Sequence, residues 1–144
     1  MSDKVIAFGK ASESHGDVKL PLAFESIEAG FPSPNGGYID SNLDVNEFLV
    51  SHPNTTYIYR VSGDSMIDAG ILPDDYVLVD SSVEPRSGDI VVVQLDGEYT
   101  IKELRLGERP MLVARNPNFS PIAIEEHMQI KIIGPVISVV RKYN

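Results

Sequence analysis

Cysteine and tryptophan are absent from the 144 residues, and histidine occurs only three times. Without thiols there can be no disulfide staple, no thiolate metal site and no cysteine nucleophile, a composition that suits a reducing compartment. Long apolar runs are missing as well. No segment approaches the roughly 18 apolar residues of a membrane span, and the opening stretch MSDKVIAFGKASESHGD has no apolar core long enough for a secretory signal, so a cytoplasmic protein with no membrane partner is expected. Positive charge is scarce. Twelve basic residues face 21 acidic ones, for a net charge of -9, and such a surface repels phosphate backbones, so direct sequence-specific DNA binding is not expected.

What is present fits one globular domain: 42% hydrophobic and 23% charged residues can bury an ordinary core. The charge is uneven. Residues 61–90 carry Asp64, Asp68, Asp74, Asp75, Asp80, Glu84 and Asp89 against Arg86 alone, whereas residues 101–144 carry seven bases against four acids. Residues 1–23 mix Ser, Gly, Lys, Asp and Glu with little periodicity, the composition of a mobile arm. FPSPNGG (31–37) is an extended or turning connection just beyond the small-residue junction Ala29-Gly30. Asp44 with Glu47 three residues on makes a capping box, predicting a short helix near 45–51 that Pro53 stops. The spacing of Asp40, Asn42 and Asp44 is that of a calcium loop, but Val45 and Ser51 stand where such a loop needs Gly and Glu. No metal or cofactor is expected.

From Thr56 onward the texture is β. TYIYRV, YVLVD, DIVVVQL, EYTIKEL, MLVAR and IKIIGPVISVVRKY are short runs rich in branched and aromatic residues, separated by turn formers, so the fold class is mainly β with one or two short helices. Asp96-Gly97 between two such runs is a two-residue hairpin signal. It pairs Leu95 with Glu98, Val93 with Thr100 and Val91 with Lys102. Lys102 then shares a face with Val91, Val93, Leu95 and Leu104. The other face, with Ile90, Val92, Tyr99 and Ile101, is equally apolar, so the pattern does not decide which one is buried.

Two residues carry candidate chemistry, Ser65 in SGDSM (62–66) and Lys102 in EYTIKEL (98–104). A serine hydroxyl becomes a nucleophile when a base takes its proton, and a lysine amine is a base only when neutral. Making an amine neutral near pH 7 means opposing its charged form by about 4.6 kcal/mol, which full desolvation in an apolar site can supply and a wet surface cannot. A carboxylate in contact would undo this, so Asp64 and Asp68 should point away from Lys102. Gly63 permits the tight backbone that a pocket of N–H donors for an oxyanion requires. A plainer alternative is open: Ser62 or Asp64 caps a helical turn through MIDAG, Ser65 is solvated in its first turn, and Lys102 is a strand lysine with its head in water. Histidine offers no better base, since His15 lies in the arm, His52 precedes Pro53 and His127 sits in a charged turn. No GxSxG elbow, HExxH or phosphate-cradling loop occurs.

FESIEAGFPSP (24–34), the stretch YIDSNLDVNEFLVSHPNTTYIYRVSGDSMIDAGI (38–71), DDYVLVD, SGDIVVVQLDGEYTIKEL, NPNFSPI and IIGPVISVVRK together resemble the UmuD branch of the LexA-like self-cleaving peptidases, from about Phe24 to the C-terminus. The resemblance implies a peptidase domain of short, strongly bent sheets. It also implies that Ser65 is the nucleophile and Lys102 the general base of a Ser-Lys dyad acting mainly in autoproteolysis. The backbone amides of Asp64 and Ser65 would form the oxyanion hole, and the cut would fall at Ala29-Gly30. Residues 1–29 would then be an arm removed by cleavage, and residues 30–144 the peptidase and dimerisation domain. The implied partners are a second copy in a homodimer, the RecA filament on single-stranded DNA that stimulates cleavage, and a UmuC-type error-prone polymerase served by the trimmed dimer in the SOS response. Within that family a repressor is disfavoured, because the 29 residues before the junction show neither helical periodicity nor a basic recognition surface. Two readings compete: a polymerase-docking module with a vestigial dyad, and a type I signal peptidase, which also pairs Ser with Lys but carries a membrane anchor.

Overall fold

Ten strands and three short helical segments make up the computed structural model, which describes residues 4–10, 19–23 and 39–144, with side chains from residue 43 onward. The strands are β1 (Lys4–Lys10), β2 (Lys19–Ala23), β3 (Ile39–Asp44), β4 (Thr56–Ser62), β5 (Tyr76–Asp80), β6 (Ile90–Leu95), β7 (Glu98–Arg105), β8 (Met111–Val113), β9 (Ile122–Ala123) and β10 (Ile130–Val140). Eight form one sheet in the order β1-β4-β5-β10-β6-β7-β8-β9, while β2 and β3 pair separately. The mainly β class expected from the branched runs is observed.

The long strand β10 joins two half-sheets. Its first part, Ile130 to Pro135, pairs with β6, and its second, Val136 to Val140, pairs with β5, with register shifts after Ile132 and after Val136. Such irregularities bend a strand. At the bend, Gly134 lies so close to the chain crossing it that a Cβ would fall 2.5 Å from the Asp80 carbonyl oxygen. The bend folds the β4/β5 half over the β6/β7 half. One core forms between them from Tyr59, Val61, Met66, Val77 and Val79 of the first half and Val92 and Ile101 of the second. Tyr59 meets Tyr99 of β7 with ring centroids 5.6 Å apart. Burial first, then the neighbouring Tyr99 and Tyr57 phenols, pushes the Tyr59 pKa up to about 12.

The β6/β7 hairpin forms with the expected register, Val91 opposite Lys102 and Leu95 opposite Glu98. Asp96 and Gly97 both take positive φ, 48° and 87°, as a two-residue type I′ loop demands. Both faces of the hairpin are buried. Val92 and Ile101 enter the core just described, while Val91, Val93 and Leu104 enter a second one with Leu112. That is why the alternation of this run singles out no solvent face.

Helix α1 (Val45–Leu49) starts where expected, with the Asp44 carboxylate accepting from the Glu47 amide at 3.2 Å. It stops two residues before position 51, because Val50 is already extended, with φ at -127°. Asp44 thus serves as a helix cap, and among the described residues no group of three or more His, Asp or Glu is placed to hold a metal. Among them, too, no helix is long and apolar enough to cross a membrane. The expectation that residues 1–23 lack regular structure is corrected at two segments. Lys4–Lys10 pairs antiparallel with β4, and Lys19–Ala23 pairs with β3. Lys4–Lys10 gains its backbone partners from β4, far along the chain, and Lys19–Ala23 from β3, the next strand, and local composition carries no trace of either pairing.

Candidate functional site

Ser65 and Lys102 enter the site from opposite half-sheets, each beside a residue locked into the shared core. Met66 follows Ser65 and Ile101 precedes Lys102, and both are almost fully buried in that core. The chain leaves β4 through Gly63, whose φ of 101° turns it sharply, and Ser65 stands in the loop before a 3-10 turn at Ile67–Ala69. Met66 occupies the N-cap of that turn and makes no side-chain cap bond. The capped-turn alternative is therefore overturned. Ser65 is 0% exposed rather than solvated, and neither Ser62 nor Asp64 stands at the cap.

Lys102 Nζ lies 3.2 Å from Ser65 Oγ. The lysine is 4% exposed, so its head does not reach water as the plainer reading required. The amine also donates to Thr100 Oγ1 and to the Ile101 carbonyl, each at 3.0 Å. Nζ thus lies within donating distance of three oxygens, those of Ser65, Thr100 and Ile101. The Phe119 ring faces the amine, its centroid 6.0 Å from Nζ. Among the described residues neither Asp64 nor Asp68 forms an ion pair with Lys102, and Asp68 is exposed.

The Ser65 loop rests on residues 114–119. The Arg115 amide donates to the Ser65 carbonyl at 2.8 Å, the Asp68 amide to the Arg115 carbonyl at 2.9 Å, and Asn116 Nδ2 to the Asp64 carbonyl at 2.9 Å. Arg115 in turn donates to Glu103 Oε1 at 2.7 Å, one residue along β7 from Lys102. Glu103 is a buried carboxylate whose pKa is lowered by the hydrogen bond from Arg105, against the opposing effect of burial, and further by Arg115. The same strand that presents the lysine is thereby tied to the segment under the serine.

Of the residues singled out in the sequence, Ser65, Lys102 and the peptide units around Asp64 and Ser65 come together, while Ala29 and Gly30 lie outside the described residues. His52 is engaged elsewhere, with Nδ1 2.6 Å from Asp80 Oδ2, and His127 faces Glu125 at 3.2 Å. Burial raises the Asp80 pKa, yet hydrogen bonds from Ser82, His52 and Thr55 outweigh it and leave the carboxyl far below the usual range. Sequence reasoning missed Thr100, Asn116 and Phe119 as parts of the site. Only Thr100 carried a signal, two residues before Lys102 and so on the same face of the strand.

Known proteins resemble this chain over most of its length. Residues 21–137 match the Peptidase S24-like family. Protein ImpA of Salmonella typhimurium is 40% identical over 124 residues, covering 85% of this chain and 83% of its own. Protein MucA of Escherichia coli is 40% identical over 118 residues, covering 81% of each chain. A LexA repressor of Ectopseudomonas mendocina is 35% identical over 136 residues, covering 93% of this chain and 64% of its own.

Proposed function

Since the chain belongs to the Peptidase S24-like family, we propose that it is a UmuD-like self-cleaving serine peptidase in which Ser65 is the nucleophile and neutral Lys102 the general base. The observation that carries this reading is the 3.2 Å approach of hydroxyl and amine in a site where both residues are buried. Removing an ammonium from water disfavours its charged form, which is the condition for it to act as a base.

In the proposed reaction Ser65 Oγ attacks the carbonyl carbon of Ala29 and its proton passes to the Lys102 amine. The carbonyl oxygen, now negative, is held by the amides of Asp64 and Ser65. The Lys102 ammonium returns the proton to the nitrogen of Gly30 as the peptide bond breaks, leaving an acyl group on Ser65 and a free amine on Gly30. Water, deprotonated by Lys102, then attacks the ester carbon, and the ammonium returns the proton to Ser65 Oγ as the C–O bond breaks, releasing residues 1–29 and restoring both side chains. A small residue on each side of the bond suits a narrow cleft.

The biological setting follows from the UmuD-like character. Cleavage is stimulated by RecA assembled on single-stranded DNA, and the trimmed homodimer of residues 30–144 joins a UmuC-type polymerase in SOS translesion synthesis in the cytoplasm. The test is incubation of purified protein at alkaline pH, where deprotonation of Lys102 accelerates release of a fragment beginning at Gly30. Ser65→Ala and Lys102→Ala abolish it. Cleavage at the wild-type rate in both variants would refute the dyad, and wild-type protein that never cleaves, with or without RecA on single-stranded DNA, would favour a non-enzymatic docking module.

A further inference from the structure

We infer that Asn116 is a positioning residue that aims the Ser65 amide at the oxyanion, an inference resting on the peptidase reading above. A peptide unit is planar and trans, so its C=O and N–H point in opposite directions. The carbonyl of Asp64 and the amide of Ser65 belong to one such unit. Asn116 Nδ2 donates to that carbonyl at 2.9 Å, and the Ile67 amide reaches the same oxygen at 3.3 Å. Holding the carbonyl on this side turns the Ser65 N–H to the opposite side.

The orientation of the Asn116 amide is itself defined. Its Oδ1 accepts from the Asn118 amide at 3.0 Å, which leaves Nδ2 as the group facing Asp64. Asn116 is 5% exposed, so water does not compete for either bond. The next peptide unit is held from the same segment, because the Ser65 carbonyl accepts from the Arg115 amide at 2.8 Å. Both units flanking the Ser65 Cα are thereby pinned by two adjacent residues, Arg115 through its backbone and Asn116 through its side chain. Substituting residue 115 leaves its backbone bond in place, so Asn116 is the position where side-chain chemistry controls the arrangement.

The bonds of Asn116 run to the Asp64 carbonyl and from the Asn118 amide, so its loss lowers the rate of the chemical step without changing the pH at which the base becomes active. First-order self-cleavage of the full chain is followed from neutral to alkaline pH for wild type, Ser65→Ala, Asn116→Ala and Asn116→Asp, with melting by circular dichroism as a check on folding. Asn116→Asp keeps the shape and the acceptor for the Asn118 amide but replaces the donor by a carboxylate, whose charge raises the midpoint pH, so only its plateau is compared. Both Asn116 variants lose about 10- to 100-fold in the alkaline plateau, somewhat less than outright removal of an oxyanion donor. Asn116→Ala keeps the wild-type midpoint pH. Plateaus equal to wild type while Ser65→Ala is inert overturn this inference and leave the peptidase reading standing. An upward move of the Asn116→Ala midpoint also overturns it, since that reports water reaching Lys102. If Asn116→Ala does not fold, the Asn116→Asp plateau decides. Absence of cleavage in wild type, or cleavage in Ser65→Ala, overturns the peptidase reading and this inference together.

Discussion

Replacing Thr100 by valine removes one acceptor from the Lys102 amine while keeping the shape of the side chain. The lost contact is the 3.0 Å bond from Nζ to Thr100 Oγ1; the Ile101 carbonyl at 3.0 Å and Ser65 Oγ at 3.2 Å remain. A hydrogen bond to a charged group contributes about 1.5–3 kcal/mol and one between neutral groups about 0.5–1.5 kcal/mol, so the ammonium loses about 1 kcal/mol more than the amine does. At about 1.4 kcal/mol per pH unit, the neutral form then becomes dominant about 0.7 of a pH unit lower. On the mechanism proposed above, Thr100→Val therefore moves the pH profile of self-cleavage toward neutrality, and below the midpoint the variant gains up to about fivefold in the populated base. The plateau falls by a few fold, because one of the bonds that hold the amine beside Ser65 is gone. Rates of fragment release across pH, measured by mass spectrometry with a step from Gly30 onward, give both quantities. A profile displaced toward alkaline pH would refute the reasoning, since it would mean that Thr100 serves the neutral amine more than the charged one.

Two further outcomes concern stability. Gly134→Ala places a methyl 2.5 Å from the Asp80 carbonyl oxygen and 3.2 Å from Ser81 Cα, both backbone atoms, so the bend of β10 must open at a cost of about 1–3 kcal/mol, visible as a lower urea midpoint. Asp75, whose carboxylate receives Arg141 Nε at 2.6 Å and Nη2 at 2.7 Å, has its pKa lowered first by that hydrogen bond, with burial opposing. A depressed carboxyl contributes stability that is present above its ordinary range and lost as pH falls through the lower folded value, so wild type weakens on acidification below about pH 4. Arg141→Met removes much of that dependence, and thermal melting of the two proteins at neutral and acid pH should converge at the acid end.

Local signals were legible where a short stretch determines its own geometry. Asp96-Gly97 specified the hairpin loop, and with it the register that sets Lys102 opposite Val91, because a two-residue loop leaves one pairing. Asp44 and Glu47 specified the start of α1 for the same reason. The depth of Lys102 was not legible, since Val91 and Val92 are both buried, on opposite faces, and alternation has nothing to contrast. Nor was the role of Asn116. Its partner is 52 positions away, and a bond between a side chain and a distant carbonyl leaves no periodicity. The strand at Lys4–Lys10 was hidden likewise, because its partner β4 lies about 50 residues downstream.

Because β10 pairs with β5 in one half-sheet and with β6 in the other, a single strand holds together the halves that carry the serine and the lysine. A change that loosens residues 130–140 therefore acts on the separation of the two side chains without touching either of them.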